Sequence, residues 1–233
     1  MVQGNTSLVI LNKNDVEGLT LIYPQIPLEQ LHEVVVIDGQ STDASIEFCR
    51  EKNIRVVVQE TLGRGEAFRL TSHLISGDSV IFLSSDGNED PGDIPKFIQL
   101  LDGNYDMVIA SRLAVGARNK DDGHFLPIRK WALQTFTMAV NIIWRGQLTD
   151  VWNGYRAFRT EKLKALPTTA EGHLIELQQT IRALKLGYRI AEFPTVEGDR
   201  ISGRTRNPLI KTGIGLISVL IKEILTYRSR VSD

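Results

Sequence analysis

The 233-residue sequence holds one cysteine, Cys49, so no disulfide can form within the chain and nothing in it asks for an oxidising compartment. It carries no excess of positive charge: 27 Lys and Arg stand against 28 Asp and Glu, a formal net charge of -1. Phosphate-driven binding of nucleic acid is thereby excluded as the main activity. No uninterrupted apolar run reaches the roughly 18 residues that a spanning helix needs. The opening MVQGNTSLVILNKND has no basic segment ahead of its short apolar run, so no secretory signal is expected. Internal repeats, low-complexity tracts and linkers are also missing. These absences point to a cytoplasmic chain of enzyme size, long enough to bury a sizeable core and read as one domain over 1–233.

Apolar runs recur at SLVIL (7–11), EVVVID (33–38), IRVVVQ (54–59), SVIFLSS (79–85) and DMVIAS (106–111). Their Val and Ile density without alternation predicts strands covered on both faces, as in a parallel sheet. Helices are expected between them at 18–23, 45–52, 65–75 and 94–101, with Ser41, Thr42 and Asp43 as caps for the second. Strand alternating with helix predicts an α/β fold: a doubly wound, mostly parallel sheet with helices on both faces. Every strand ends in polar residues, among them Asn12, Asp38, Glu60, Asp86 and Arg112, where such sheets bind ligands.

Beyond Arg112 the pattern predicts helices at 129–146 and 171–187, a strand at 188–196, and a basic loop, EGDRISGRTRN (197–207). An apolar tail follows, bordered by Lys211, Lys222, Arg228 and Arg230. The expected organisation is a nucleotide-binding half (1–112), an acceptor half (113–207) and an apolar helical tail (208–233).

Three stretches carry chemistry. In VVVIDGQSTDAS, Asp38 closes a strand and is able to accept hydrogen bonds from a nucleoside; a strand cap beside a helix N-cap at Asp43 fits equally well. In TLGRGEAF, backbone N–H groups around Gly63 and Gly65 suit a diphosphate, although an ordinary turn would look the same. In VIFLSSDGNEDPGDIP (80–95), carboxylates crowd the mouth of a strand. One reading is a Mg²⁺ or Mn²⁺ site with Asp86 as first ligand and Asn88 or Glu89 as second. The other is a solvated acidic loop in which Asp93 caps the helix at Ile94.

The order of these segments resembles the family 2 glycosyltransferases of GT-A (Rossmann-like) fold, in particular the dolichol- or polyprenyl-phosphate mannose or glucose synthases. VILNKND resembles the family's first strand and turn, with Asn14 and Asp15 at its Asn-Glu pair. VIDGQSTD matches its Asp-Asp-x-Ser-x-Asp at Asp38, Ser41 and Asp43, and GRGEA is similar to its Gly-x-Gly-x-Ala turn. SSDGNEDPGDIP aligns without a gap to Asp-Ala-Asp-Gly-Gln-His-Asp-Pro-Glu-Asp-Ile-Pro. ASR (110–112), DVWNGYRAF (150–158) and RISGRTR (200–206) match three later motifs. The chain departs from the pattern at Leu11, at Gly39 and at Ser84, which stands where the family has the first aspartate of its Asp-x-Asp.

The resemblance implies an inverting, metal-dependent hexosyltransferase taking a sugar from a UDP or GDP donor. Asn14, Asp15, Asp38, Ser41, Gly63, Gly65 and Asp86 would bind nucleotide, and Asp86 and Asn88 the metal. Arg112, Arg200 and Arg206 would face the diphosphate or an acceptor phosphate, with Arg112 and Asp150 as catalytic residues, Asp150 as base or acceptor-site carboxylate. A polyprenyl phosphate or a glycan is the implied acceptor, and the apolar tail suggests peripheral contact with the inner face of the membrane; packing of the apolar helices on the domain or on a second subunit fits at least as well. Ser84 and Gly39 leave open a sugar-nucleotide binding module that no longer catalyses. Nucleotidyl transfer would need a glycine-rich basic loop after the first strand, where LNKNDVEGL offers only Lys13.

Overall fold

A computed structural model describes residues 5–118, 128–201 and 209–228, and all side chains within them except those of 128, 129, 209–211, 227 and 228. The strands are β1 (Thr6–Asn12), β2 (Glu33–Asp38), β3 (Arg55–Val58), β4 (Ser79–Ser84), β5 (Met107–Ser111), β6 (Arg156–Arg159) and β7 (Ile190–Pro194). The helices are α1 (Val16–Ile22), α2 (Ser45–Glu51), α3 (Arg64–Leu74), α4 (Ile94–Asp102), α5 (Ile128–Trp144), α6 (Thr160–Ala165), α7 (Leu174–Lys185) and α8 (Leu209–Arg228). Among the described residues the strands form one sheet in the order β3-β2-β1-β4-β6-β5-β7.

The non-alternating apolar runs are explained by burial on both faces. Along β1, Leu8 and Ile10 join a core with Leu19 of α1, Cys49 of α2 and Phe97 of α4. Val9 points the other way, into a core with Phe68 of α3, Leu163 of α6 and Ile175 of α7. Each such side chain contributes about 1.5–3 kcal/mol on burial, which pins the two-fold alternation of the strand. A third core joins Val140 and Trp144 of α5, Leu177 and Ile181 of α7, and Leu216 and Val219 of α8. Residues 209–228 are thus helical and packed on α7.

β1 pairs in parallel with both β2 and β4. The chain winds outward through β2 and β3, then crosses back to lay β4 on the other side of β1. The carboxyl ends of β1 and β4 therefore flank a topological switch point, the place where open α/β sheets form a crevice. β6 was not expected from the sequence. It runs antiparallel between β4 and β5, with Ala157 opposite Ile81 and Val108.

Candidate active site

A cleft of about 610 Å³ opens at this switch point, a size that suits a small-molecule ligand. The loops after β1 and β2 build one side. Asp38 is fully buried and accepts from the Ser41 amide (2.7 Å), the Ser41 hydroxyl (2.6 Å) and Asn12 Nδ2 (2.7 Å). Asn14, at φ 54°, donates its amide to Ser41 Oγ (2.8 Å) and accepts from the Thr42 amide (2.7 Å). The two loops are laced together, and Asn14 and Asp15 are left lining the cleft. Asp43 accepts from the Ser45 amide (3.0 Å) at the start of its own helix and also from Val16 N (3.0 Å) at the start of α1. That second contact moves the beginning of α1 two residues ahead of the expected one.

The acidic stretch after β4 turns inward. Gly87, at φ 75°, makes the turn, and a Cβ there would come within 2.2 Å of Ile201 Cδ1. Residues 198–201 lie along this loop, with Gly198 N donating to Asn88 O (2.9 Å) and Ile201 N to Asp86 O (3.0 Å). Asp86 is 7% exposed, and Arg200 Nε lies 3.0 Å from its Oδ2. Asn88 Nδ2 donates to Glu197 Oε1 (3.2 Å), while Asn88 Oδ1 is buried without a hydrogen-bond partner.

Glu89 folds back onto Ser84, accepting from the Ser84 amide at 2.6 Å. Burial, and next the charge of Asp86, push its carboxyl up to about 7 against the pull of Arg64. The residue at the position of the missing family aspartate is thereby met by a carboxylate five residues on. Asp90 instead caps a short 3₁₀ turn (Pro91–Asp93) through Gly92 N at 2.8 Å. Asp93 does not cap α4: it accepts from the Thr195 hydroxyl at 2.5 Å and pairs with Lys96 at 2.8 Å.

Arg112 and Asp150 face one another. Arg112 Nε and Nη2 donate to Asp150 Oδ2 and Oδ1 at 2.7 and 3.0 Å, and the amides of Arg112 and Trp152 complete the set at 3.3 and 3.1 Å. Four N–H donors occupy the roughly four acceptor sites of a carboxylate. Burial alone would raise the Asp150 carboxyl, but the Arg112 guanidinium outweighs it and lowers the value. Asp150 is fully buried behind Arg112, and Arg112 is the member of the pair that lines the cleft.

Of the residues expected at the site, Asn14, Asp15, Gly63, Asp86, Asn88 and Arg112 line the cleft, and Arg200 joins them. Asp38, Ser41 and Asp150 support its wall from behind. Gly65 packs against the 170–171 backbone, where a Cβ would sit 2.4 Å from Ala170 O. Arg206 lies outside the described residues. The sequence reading did not single out Arg64, Glu176 and Glu197, all of which line the cleft. Arg64 sits inside the quoted GRGEA turn, but its ion-pair partner Glu176 is 112 residues away.

The far wall is apolar. Leu133 and Phe136 of α5 and Leu216 of α8 face the cleft. The outer faces of the same helices expose Met138 and Ile142, and Ile214, Ile217, Ile221 and Leu225, each at least half exposed. No helix among the described residues is long and apolar enough to cross a membrane.

The family profile described as glycosyl transferase family 2 matches residues 25–166. Among curated proteins, glycosyltransferase AglJ of Haloferax volcanii is 29% identical over 196 residues, covering 83% of this chain and 63% of that protein. The chain thus spans somewhat less than two thirds of AglJ. Dolichyl-phosphate hexose transferase of the same organism is 27% identical over 85% of this chain and 84% of its own length. Undecaprenyl-phosphate mannosyltransferase of Micrococcus luteus is 24% identical over 85% of each. Among solved structures, glucosyl-3-phosphoglycerate synthase from Mycobacterium tuberculosis, in complex with Mn²⁺, UDP and phosphoglyceric acid, superposes with a TM-score of 0.77. It is 21% identical and covers 94% of this chain and 78% of that one, a likeness of fold. The sheet described above is that GT-A, Rossmann-like architecture.

Proposed function

The chain belongs to glycosyl transferase family 2, and on that premise we propose that it moves a hexose from a UDP or GDP donor to a polyprenyl phosphate, with inversion at the anomeric carbon. One observation carries the reading. The cleft joins a charged floor of strand-end residues to an apolar wall from α5 and α8, whose outer faces are themselves exposed and apolar. A sugar nucleotide needs the first and a lipid acceptor the second. The names of the two polyprenyl-phosphate-acting relatives support the same acceptor class.

Asp86, Asn88 and Glu89 are the residues that would hold a Mg²⁺ or Mn²⁺ ion. The donor set fits: such ions take oxygen ligands, often one or two carboxylates with phosphate oxygens and water, and Asn88 Oδ1 is a buried acceptor without a partner. Diphosphate oxygens would complete this small ligand set. When bound, the ion would supply positive charge to the departing diphosphate.

The chain's own residues do the rest. Arg112, held flat by Asp150, presents a fixed guanidinium to the cleft, a geometry suited to phosphate oxygens. Arg200 is set beside Asp86, where a diphosphate would draw it off the carboxylate. A phosphate acceptor is already anionic and needs little help from a base. Asp150, with every acceptor position taken, therefore acts by orienting Arg112. The exposed stripes of α5 and α8 would lie in the bilayer interface and bring the cleft to the lipid.

A second reading, a module that binds sugar nucleotide without turnover, is favoured by Ser84 in place of the family aspartate. Calorimetry with UDP and GDP, with and without Mn²⁺, followed by assay of donor consumption, separates the two. Mn²⁺-dependent binding with turnover supports the transferase; binding without turnover supports the module.

A further inference from the structure

Glu176, in the first turn of α7, is 1% exposed and still lines the cleft. Its Oε1 is held by Arg64 Nε and lies 3.8 Å from His173 Nδ1. Its Oε2 is buried and has no hydrogen-bond partner. A buried carboxylate oxygen without a donor is destabilising, and folded proteins seldom leave one without a reason.

The surroundings narrow what could meet that oxygen. Burial alone would raise the Glu176 carboxyl, but Arg64, and after it His173, outweigh burial and hold it well below the usual carboxylate range. Glu176 is therefore an acceptor only. Arg64 already supplies a cation on one side, which disfavours a second cation on the other. An anion would be repelled. What remains is a neutral group with an O–H or N–H to donate.

Position narrows it further. The guanidinium that grips Glu176 also reaches Ser84 Oγ at 3.5 Å, so Glu176 stands one Arg side chain from the loop that carries Asp86. Packing there is close: a Cβ on residue 154 would come within 2.1 Å of Arg64 Nη2 and 3.3 Å of Glu176 Oε1, so it is Gly154 that lets the guanidinium lie against Glu176 and leave Oε2 free. In a nucleoside diphosphate sugar the group one bond beyond the diphosphate is the sugar, whose outer atoms are neutral hydroxyls.

We propose that Glu176 Oε2 accepts a hydrogen bond from one hydroxyl of the donor hexose, so that Glu176 selects the sugar while the strand-end loops bind the nucleotide. The assignment rests on the donor reading above. A hydrogen bond to a charged acceptor in a buried site is worth about 10- to 100-fold in binding.

The test measures affinity for free UDP and GDP, and kcat/KM for their hexose conjugates and singly deoxygenated hexose conjugates. One deoxy donor should fall about 10- to 100-fold on the unaltered chain. Glu176→Gln should lose a similar factor with the parent donor, lose little more with that deoxy donor, and keep its affinity for the free nucleotide. Glu176→Asp, which keeps the charge beside Arg64 and retracts the free oxygen, gives the same readout should the Gln variant fold poorly. Equal loss toward nucleotide and sugar conjugate would overturn the proposal, leaving Glu176 only as the anchor of Arg64. So would an unaltered chain indifferent to every deoxy donor. An unaltered chain that binds neither nucleotide brings down the donor reading itself, and this assignment with it.

Discussion

Arg200 Nε lies 3.0 Å from Asp86 Oδ2, so a guanidinium stands on the carboxylate proposed above to receive a divalent cation. The two cations compete for one oxygen. Arg200→Ala is therefore expected to tighten Mn²⁺ binding to the nucleotide-free chain. The Arg200 side chain is 32% exposed, and a solvent-screened pair of that kind is worth up to about 1 kcal/mol, or roughly fivefold. Turnover should fall at the same time, because Arg200 is lost to the diphosphate. Mn²⁺ titration followed by electron paramagnetic resonance reads the first effect. Unchanged Mn²⁺ affinity would mean that the pair does not guard the site.

Glu89 ties stability to pH. Its folded-state carboxyl stands at about 7, above the ordinary 4.5, chiefly because burial disfavours the charge. Between those values the folded chain holds a proton that the unfolded chain has released, so stability falls as pH rises through the window. The full effect is on the order of 3 kcal/mol. Urea melts in chelator from pH 4.5 to 7.5 should show the decline, and Glu89→Gln should flatten it. A variant with the same slope as the unaltered chain would assign the decline elsewhere.

Asp150 and Arg112 should fail unequally. Asp150→Ala leaves a buried guanidinium without its carboxylate, and loss of one partner of a buried pair costs about 3–5 kcal/mol. Replacing both, as Arg112→Met with Asp150→Leu, should recover much of that stability and none of the turnover. Arg112→Lys should also lose turnover, because an ammonium cannot make the two-pronged contact. Denaturant midpoints set beside turnover rates test this. Full activity in Arg112→Lys would exclude the phosphate-facing role.

The outer face of α8 should govern membrane binding without governing stability. Ile217 and Ile221 are 50% and 53% exposed, so Ile217→Glu with Ile221→Glu should move stability by no more than about 1 kcal/mol. Co-sedimentation with anionic vesicles should fall at least tenfold. Sedimentation equal to that of the unaltered chain would remove α8 from the membrane account.

The parts of this molecule that could be read from its sequence are those fixed by local pattern. β1, β2, β4 and β5 announce themselves because burial on both faces forbids polar residues in the run. β6 does not, since Ala157 and Phe158 stand between Arg156 and Arg159. Arg156 is fully buried because its guanidinium donates to the carbonyls of Asn153 and Glu176 and to the Thr180 hydroxyl. Only the tertiary fold provides those partners. The same holds at the cleft. Asp86 and Asn14 follow strands and mark themselves by position, whereas Glu176 lies in LIELQQTI like any helical glutamate until Arg64 meets it. No local pattern marks it, because the neighbours that share its helix face, His173, Gln179 and Thr180, are polar.

Transfer itself is the most direct test of the central claim. The chain would be incubated with polyprenyl phosphate in vesicles, Mn²⁺, and UDP- or GDP-hexose labelled in the sugar, beside Asp86→Ala. The account predicts labelled polyprenyl-phosphate hexose of inverted anomeric configuration, formed in step with free nucleoside diphosphate, and loss of at least 100-fold in the variant. Label that stays in the donor throughout, or a product formed as fast by Asp86→Ala, would contradict it.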